Sequence, residues 1–331
     1  MRLRKAPAAG QGPLATALQR GVRDHSRGAP VAVGLALALM TATISGFSIF
    51  LNSYATKEFA SPTLFTTLKN CVVGLALLAV VSRPRSIAEI RRLSPGQAVG
   101  LALLGVIGGS VPFILFFEGL SRVDAGNAAF LQKTLFLWVA PLAFVTLRER
   151  IGLAQAGALA ALLLAQLILG GPGGLRGEGV LMVLAATILW AFEVVLAKRL
   201  LSGVSAGVAA SARMTLGAVL LVAYLAMTGG TGAVWHLSSD QILWFVGTGL
   251  VLLAYVATWY NALRLAPATA VTCVLTVGAP ITAALNAIAG KGAPDSGDMV
   301  AYGLVVIATA VIVAVSFGMR PASAPKATVA A

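Results

Sequence analysis

The chain is predicted to be an all-α integral membrane protein. We expect ten transmembrane helices as two inverted five-helix repeats, with both termini cytoplasmic. Three observations carry the prediction: a composition too apolar for a water-soluble domain, ten separate runs long enough to span a bilayer, and a one-sided distribution of basic residues. Of 331 residues, 58% are hydrophobic and 11% charged, where soluble domains carry roughly 25% charged residues. The runs are continuously apolar, which favours helices over the alternating ten-residue segments of a transmembrane barrel.

Residues 1–30 are rich in arginine and read as a disordered basic cytoplasmic tail. The apolar run behind them is too long for a signal-peptide core and has no small-residue cleavage site, so it is a retained first helix. Spans of about the ~20 residues a bilayer requires fall near 31–54, 63–81, 97–119, 126–146, 152–170, 179–199, 206–228, 240–262, 267–288 and 298–318. The first repeat covers 31–170 and the second 179–318. Residues 171–178, which continue the Gly-rich break GGPGG, form the loop between them. Residues 319–331 are a second cytoplasmic tail.

The net charge of +13 is a topology signal. Seventeen basic residues fall on one side of the spans: Arg2, Arg4, Lys5, Arg20, Arg23, Arg27, Arg83, Arg85, Arg91, Arg92, Arg148, Arg150, Lys198, Arg199, Arg264, Arg320 and Lys326. Only Lys57, Arg122, Arg176 and Lys291 fall on the other. By the positive-inside rule the heavy side is cytoplasmic, which puts both termini inside and requires an even number of spans. The basic excess therefore calls for no nucleic-acid partner. Its partner is the lipid bilayer, at the inner (plasma) membrane.

An offset of 143–144 residues aligns Thr43–Ile44 with Thr187–Ile188, Lys69 with Arg213, and FFEGLSRVDAGNAA (116–129) with WYNALRLAPATA (259–270). Five helices used twice must insert the second time upside down. That is the inverted-repeat plan of alternating-access carriers, whose site lies at the repeat interface near mid-membrane. Gly105 with Gly109 and Gly203 with Gly207 have the spacing that permits close helix contact. Pro112, Pro141 and Pro280 are expected to kink the third, fourth and ninth helices.

The blocks DAGNAAFLQKTLFLWVAPLAFVTLRERIG (124–152), ILWAFEVVLAKRLL (188–201) and SARMTLGAVLL (211–221), in this order, resemble the drug/metabolite transporter superfamily of EamA-type carriers. The resemblance covers roughly residues 31–318. It implies a transporter with a small-molecule substrate, export as the direction, and a fourth helix facing the central cavity. Two positions depart from the family pattern. Phe136 stands where a proline is usual in the fourth helix, and Lys291 stands where an acidic counterpart of Glu149 is usual at the end of the ninth.

Five ionisable residues lie inside the apolar runs: Lys69, Lys133, Arg213, Glu118 and Glu193. Such a group costs at least ~2.5 kcal/mol at membrane depth and normally faces a partner, a cavity or a solute. At 1.5 Å rise per residue, Lys69 and Lys133 lie about 9–10 Å from the outer boundary, and Glu193 and Arg213 a similar depth from the inner one. Three cations against two carboxylates leave one cation over, so an anionic or zwitterionic metabolite is the expected substrate. Lys133, flanked by Gln132 and followed by Trp138, is its first ligand, with Lys69 or Arg213 as the second. Trp190 and Tyr260 are candidate cavity-lining aromatics. The competing structural account pairs Glu193 with Arg213 and Glu118 with a lysine. Glu193 is also a candidate proton-coupling carboxylate, with protons as the coupling ion.

Two alternatives stand beside the carrier of anions: an exporter of cationic or aromatic compounds using Glu118 and Glu193, and a non-transporting scaffold or assembly subunit. No enzyme is expected, and no cofactor or metal, because the chain has no HExxH, GxSxG or GxxxxGK[ST] sequence and no Cys pair at metal spacing. Cys71 and Cys273 read as small packing residues.

Overall fold

The structure, a computed structural model, describes residues 13–318 apart from 60, 121, 124 and 171–176. Fourteen α-helices make up the described chain: α1 (Pro13–Ala55), α2 (Pro62–Val81), α3 (Pro84–Ile90), α4 (Pro95–Ile107), α5 (Val111–Leu120), α6 (Ala125–Lys133), α7 (Leu135–Leu147), α8 (Leu153–Gly170), α9 (Glu178–Leu200), α10 (Ala206–Met227), α11 (Ser239–Leu265), α12 (Ala268–Leu275), α13 (Gly278–Ile288) and α14 (Ser296–Gly318). They give ten spans of membrane length, because α4 with α5, α6 with α7 and α12 with α13 are each one span in two pieces. No strand occurs among the described residues.

One boundary differs from the sequence reading. Residues 1–12 of the expected tail lie outside the described residues, but the chain is helical from Pro13, eighteen residues before the expected start at 31. Proline at the first helical position and a run of Leu, Ala, Gln and Arg explain the extension. The membrane-length part of α1 begins at Ala29. The tail expected at 319–331 and most of the loop at 171–178 lie outside the described residues.

The starts of the spans follow local chemistry. Ser61, Ser94, Ser205 and Ser238 accept backbone N–H groups at the starts of α2, α4, α10 and α11. Gln97 and Gln241 close reciprocal capping boxes at two of them. Each such cap is worth about 1 kcal/mol.

The main packing pairs recur when each span is exchanged for its equivalent five spans away. α1 packs on α11 as α9 packs on α4 and α5; α1 packs on α12 and α13 as α9 packs on α6 and α7; α4 packs on α10 as α11 packs on α2. The pairs α2 with α10, α8 with α14 and α7 with α12 lie on the pseudo-two-fold axis itself. Small residues bring the axis helices together. The Ser211 hydroxyl donates to the Leu77 carbonyl at 3.2 Å and the Thr215 hydroxyl to that of Gly74 at 3.4 Å, both across α2 and α10.

Of the two glycine pairs, one makes a helix crossing. A Cβ at Gly109 would overlap the Arg213 carbonyl oxygen and lie 2.8 Å from Gly217 Cα, and one at Gly105 would lie 2.5 Å from Leu216 Cβ. At Gly207 a Cβ would meet nothing within 4 Å, so the Gly203–Gly207 spacing packs no helix there.

Candidate functional site

The third span breaks over Gly108–Ser110, between α4 and α5, and the reason is local. Pro112, the second residue of α5, has no N–H to give the Gly108 carbonyl four residues earlier. That carbonyl instead accepts the Trp190 indole N–H at 3.3 Å. Gly108 is also where α9 and α10 bring their charges, since a Cβ there would overlap Glu193 Cγ and reach Arg213 Nε at 3.0 Å.

Glu193 on α9 and Arg213 on α10 form an ion pair with Nε to Oε1 at 3.3 Å, their side chains 3% and 10% exposed. The guanidinium Nε lacks hydrogen-bond alignment, so this attraction is coulombic. The hydrogen bond to Glu193 comes from the fully buried Tyr260 hydroxyl on α11, at 2.7 Å. Trp190 completes the cluster edge-on to Phe113, with ring centroids 5.4 Å apart. Here the expected Glu193–Arg213 pairing is present, and Trp190 and Tyr260 are packed into it rather than lining open space.

The two lysines are different. Lys69 on α2 is buried, and its ammonium sits 5.0 Å from the Phe65 ring centroid. A desolvated cation–π contact is worth ~2 kcal/mol, less than the several kcal/mol lost by taking an ammonium out of water. Around it on α2, Thr66 Oγ1, Thr67 Oγ1 and Asn70 Oδ1 are buried without a hydrogen-bond partner. Lys133 is the last residue of α6 and half-buried beside Gln132. Among the described residues neither ammonium has an ion-pair or hydrogen-bond partner. The helix break at Thr134 places Lys133 at a C-terminal helix end, where a cation is favoured by the peptide dipoles. Trp138 donates its indole N–H to Thr134 Oγ1 at 3.2 Å and so braces this break.

Glu118 forms its ion pair with an arginine. Its carboxylate meets Arg122 one turn on, at 3.3 Å, and accepts the Tyr224 hydroxyl at 3.2 Å. Arg122, assigned from sequence to a loop, reaches back because four residues on a helix bring two side chains to one face. Among the described residues two intramembrane cations, Lys69 and Lys133, therefore have no carboxylate partner, one more than the sequence count gave. Asparagines within the spans bond locally: Asn70 and Asn261 donate to carbonyls of their own helices, and Asn52 to Ser48 on its own helix.

The helix breaks are paired across the axis. The fourth span breaks at Thr134 and the ninth at Thr276–Val277. Pro280 follows the ninth-span break near the start of α13, where its missing N–H has no helical partner to lose. Pro141 lies inside α7 and does not divide it. The third span is broken while its equivalent, α11, is continuous over Ser239–Leu265, because GGS followed by Pro112 has no counterpart in the second repeat.

Residues at the spans' ends sort strictly into two sets. At one end, the Glu149 carboxylate accepts Ala268 N–H at 2.7 Å and Thr269 N–H at 3.1 Å, capping α12. There Lys198 donates to carbonyls at the C-terminal end of α11, Leu263 at 2.5 Å and the capping residue Ala266 at 2.7 Å, and Arg199 to Thr146 at 2.9 Å. Glu89 accepts Ser205 N–H at 2.6 Å. At the opposite end Lys291 lies 3.4 Å over the Tyr54 ring and donates to Ser53 at 3.0 Å, and Gln241 donates to the Glu58 carbonyl at 2.6 Å. Sequence reasoning used Lys198 and Arg199 only as topology signals at the end of the sixth span and missed these ties. Their signal was position: two cations in the last turn of α9, one turn past a buried carboxylate.

Ten apolar spans in two equivalent halves, with broken helices meeting at the axis, define a two-repeat membrane transporter fold. The model of the EamA-like transporter family matches residues 32–171 and again 177–314. The chain belongs to that family, once per repeat, and is a multi-pass membrane protein of the drug/metabolite type. A crystal structure of a protein of otherwise unstated identity, one of 28 solved chains that match, is similar at TM-score 0.67 and 18% identity, covering 88% of this chain and 99% of that one. At that identity the likeness is one of fold. No curated protein matches the chain at a comparable level.

Proposed function

We propose that the protein is a secondary active carrier that exports a small polar metabolite, anionic or zwitterionic, across the inner (plasma) membrane by alternating access. One observation carries this reading: among the described residues, Lys69 and Lys133 are membrane-embedded ammonium groups without a carboxylate, while the third intramembrane cation, Arg213, is held by Glu193. An embedded cation normally has a partner or a solute, so the solute's anionic group is assigned to Lys133 with Lys69, and Arg213 to the scaffold. Gln132 and Trp138, next to Lys133 on the broken fourth span, belong to the same site. Of the two roles open to Glu193, its ties to Arg213 and Tyr260 favour the static pair, and protons remain the coupling ion to be tested.

The topology of the reading puts both termini in the cytoplasm. The end carrying Glu149, Lys198 and Arg199 also carries Arg83, Arg85, Arg91, Arg92, Arg148, Arg150 and Arg264, against Lys57, Arg122 and Lys291 at the other, and the basic side is the cytoplasmic one.

The test is thermal unfolding of the purified chain in detergent, screened with amino acids, organic acids, phosphorylated metabolites and cationic drugs, together with the Lys133→Met variant. Ligand binding to the folded state raises the midpoint by mass action. The expected result is stabilisation by an anion that disappears in Lys133→Met. Equal stabilisation of both proteins by cations or flat aromatics would transfer the site to Glu118 and Glu193. No response to any class, with normal insertion, would favour a scaffold.

A further inference from the structure

α3 has no counterpart role in the transport reading and is an exposed helix with no buried residue. It follows directly on the second span, Ser82 N–H still bonding Leu78 at 2.9 Å, so it lies at the membrane boundary. On one side Ile87 and Ile90, three residues apart, are 39% and 42% exposed. Arg83, Arg85, Arg91 and Arg92 surround them, and all four are exposed.

The one carboxylate of the helix, Glu89, is four residues from Arg85, a spacing that ordinarily gives an ion pair. No such pair forms, because Glu89 turns to the Ser205 N–H at the start of α10. None of the four guanidinium groups has a carboxylate or a hydrogen-bond acceptor among the described residues. Two open clefts flank the helix. One, of about 430 Å³, is lined by Arg85, Glu89, Arg92, Gln97 and Gly203; the other, of about 450 Å³, by Pro84, Ile87, Arg91 and Arg92.

We propose that α3 is an interfacial anchor whose two clefts hold the phosphate groups of anionic phospholipids, with Ile87 and Ile90 seated at the acyl boundary. The charge, the fork geometry of arginine toward phosphate oxygens, the unpartnered guanidinium groups and the adjoining apolar side chains fit one occupant. Free inorganic phosphate shares the headgroup chemistry but makes no use of the isoleucines. The inference is independent of what the carrier transports.

The test is native mass spectrometry of the full chain in detergent, titrated with phosphatidylglycerol or phosphatidylcholine, with and without millimolar inorganic phosphate. The wild-type protein is expected to retain phosphatidylglycerol in preference to phosphatidylcholine, and Arg85→Gln with Arg92→Gln to lose about five-fold in affinity per arginine. Arg83 and Arg91 stay in that variant to preserve topology. Should it fail to fold, raising salt from 0.05 to 0.5 M on the wild type is the second arm, expected to release phosphatidylglycerol and spare phosphatidylcholine as screening grows. Equal retention of the two lipids, an unchanged preference in the variant, salt-independent binding, or complete displacement by inorganic phosphate would each overturn the proposal.

Discussion

The two intramembrane charge clusters have the same composition problem and opposite solutions. Around Gly108, one carboxylate, one guanidinium and one phenol from three helices, Glu193, Arg213 and Tyr260, hold one another by an ion pair and a hydrogen bond in a space from which even a Cβ is excluded. Around the fourth-span break Lys133, and on α2 Lys69, have no carboxylate partner among the described residues, and Glu118 is engaged by Arg122 and Tyr224. Burial alone therefore does not mark function. A buried charge whose partner is already present is part of the architecture, and one whose partner is missing is where a solute belongs.

The comparison would be broken most directly at the lysines. Lys133→Met is expected to abolish transport in a whole-cell or vesicle assay, and Lys69→Met to reduce it at least ~10-fold, the change from losing one charge-assisted contact of ~1.5 kcal/mol or more. Both variants should unfold no earlier than the wild type, because each removes an unpaired buried charge. Loss of stability in parallel with transport would move the lysines into the architectural class.

The Glu193 cluster should behave in the reverse way. Glu193→Gln leaves Arg213 buried without its counter-ion and is expected to cost about 3–5 kcal/mol, read as a fall in the unfolding midpoint, with Glu193→Gln plus Arg213→Met recovering most of it. If the double variant is no better than the single, the two side chains are not energetically coupled.

Gly109→Ala tests the crowding of the same region. Its Cβ would meet backbone on both α10 contacts, and overpacking of this kind costs about 1–3 kcal/mol. Gly207→Ala, with nothing within 4 Å, should be close to neutral in the same unfolding measurement.

Two smaller effects sharpen the contrast between the ends. Glu149→Ala removes the cap of α12 and should cost about 0.5–2 kcal/mol. Arg122→Ala breaks an ion pair whose side chains are 47% and 35% exposed, so it should cost less than about 1 kcal/mol. A larger loss at Arg122 would mean that the Glu118 pair is architectural despite its exposure.

Much of the fold was legible because membrane insertion writes its rules locally. Ten runs, a 143-residue repeat and the sorting of arginines follow from the cost of placing polar groups in hydrocarbon, and each can be read from residues adjacent in sequence. The intramembrane charges were legible for the same reason. Their partners were not. Glu118 pairs with Arg122 through helix-face geometry that a loop assignment at 122 concealed. Lys198 found the carbonyls of Leu263 and Ala266 across 65 and 68 residues of chain, and its place in the last turn of α9 did not name those partners. Pro112 pointed to the third-span break, yet Pro141 gave the same signal inside an unbroken helix.

The sequence by itself determined that this chain crosses a membrane ten times in two related halves, and which of its charges must lie within the bilayer. Only the tertiary structure decided which of those charges are spoken for. Solvation energy is a property of each residue and its neighbours along the chain, whereas pairing depends on distances of about 3 Å between helices whose approach is set by packing.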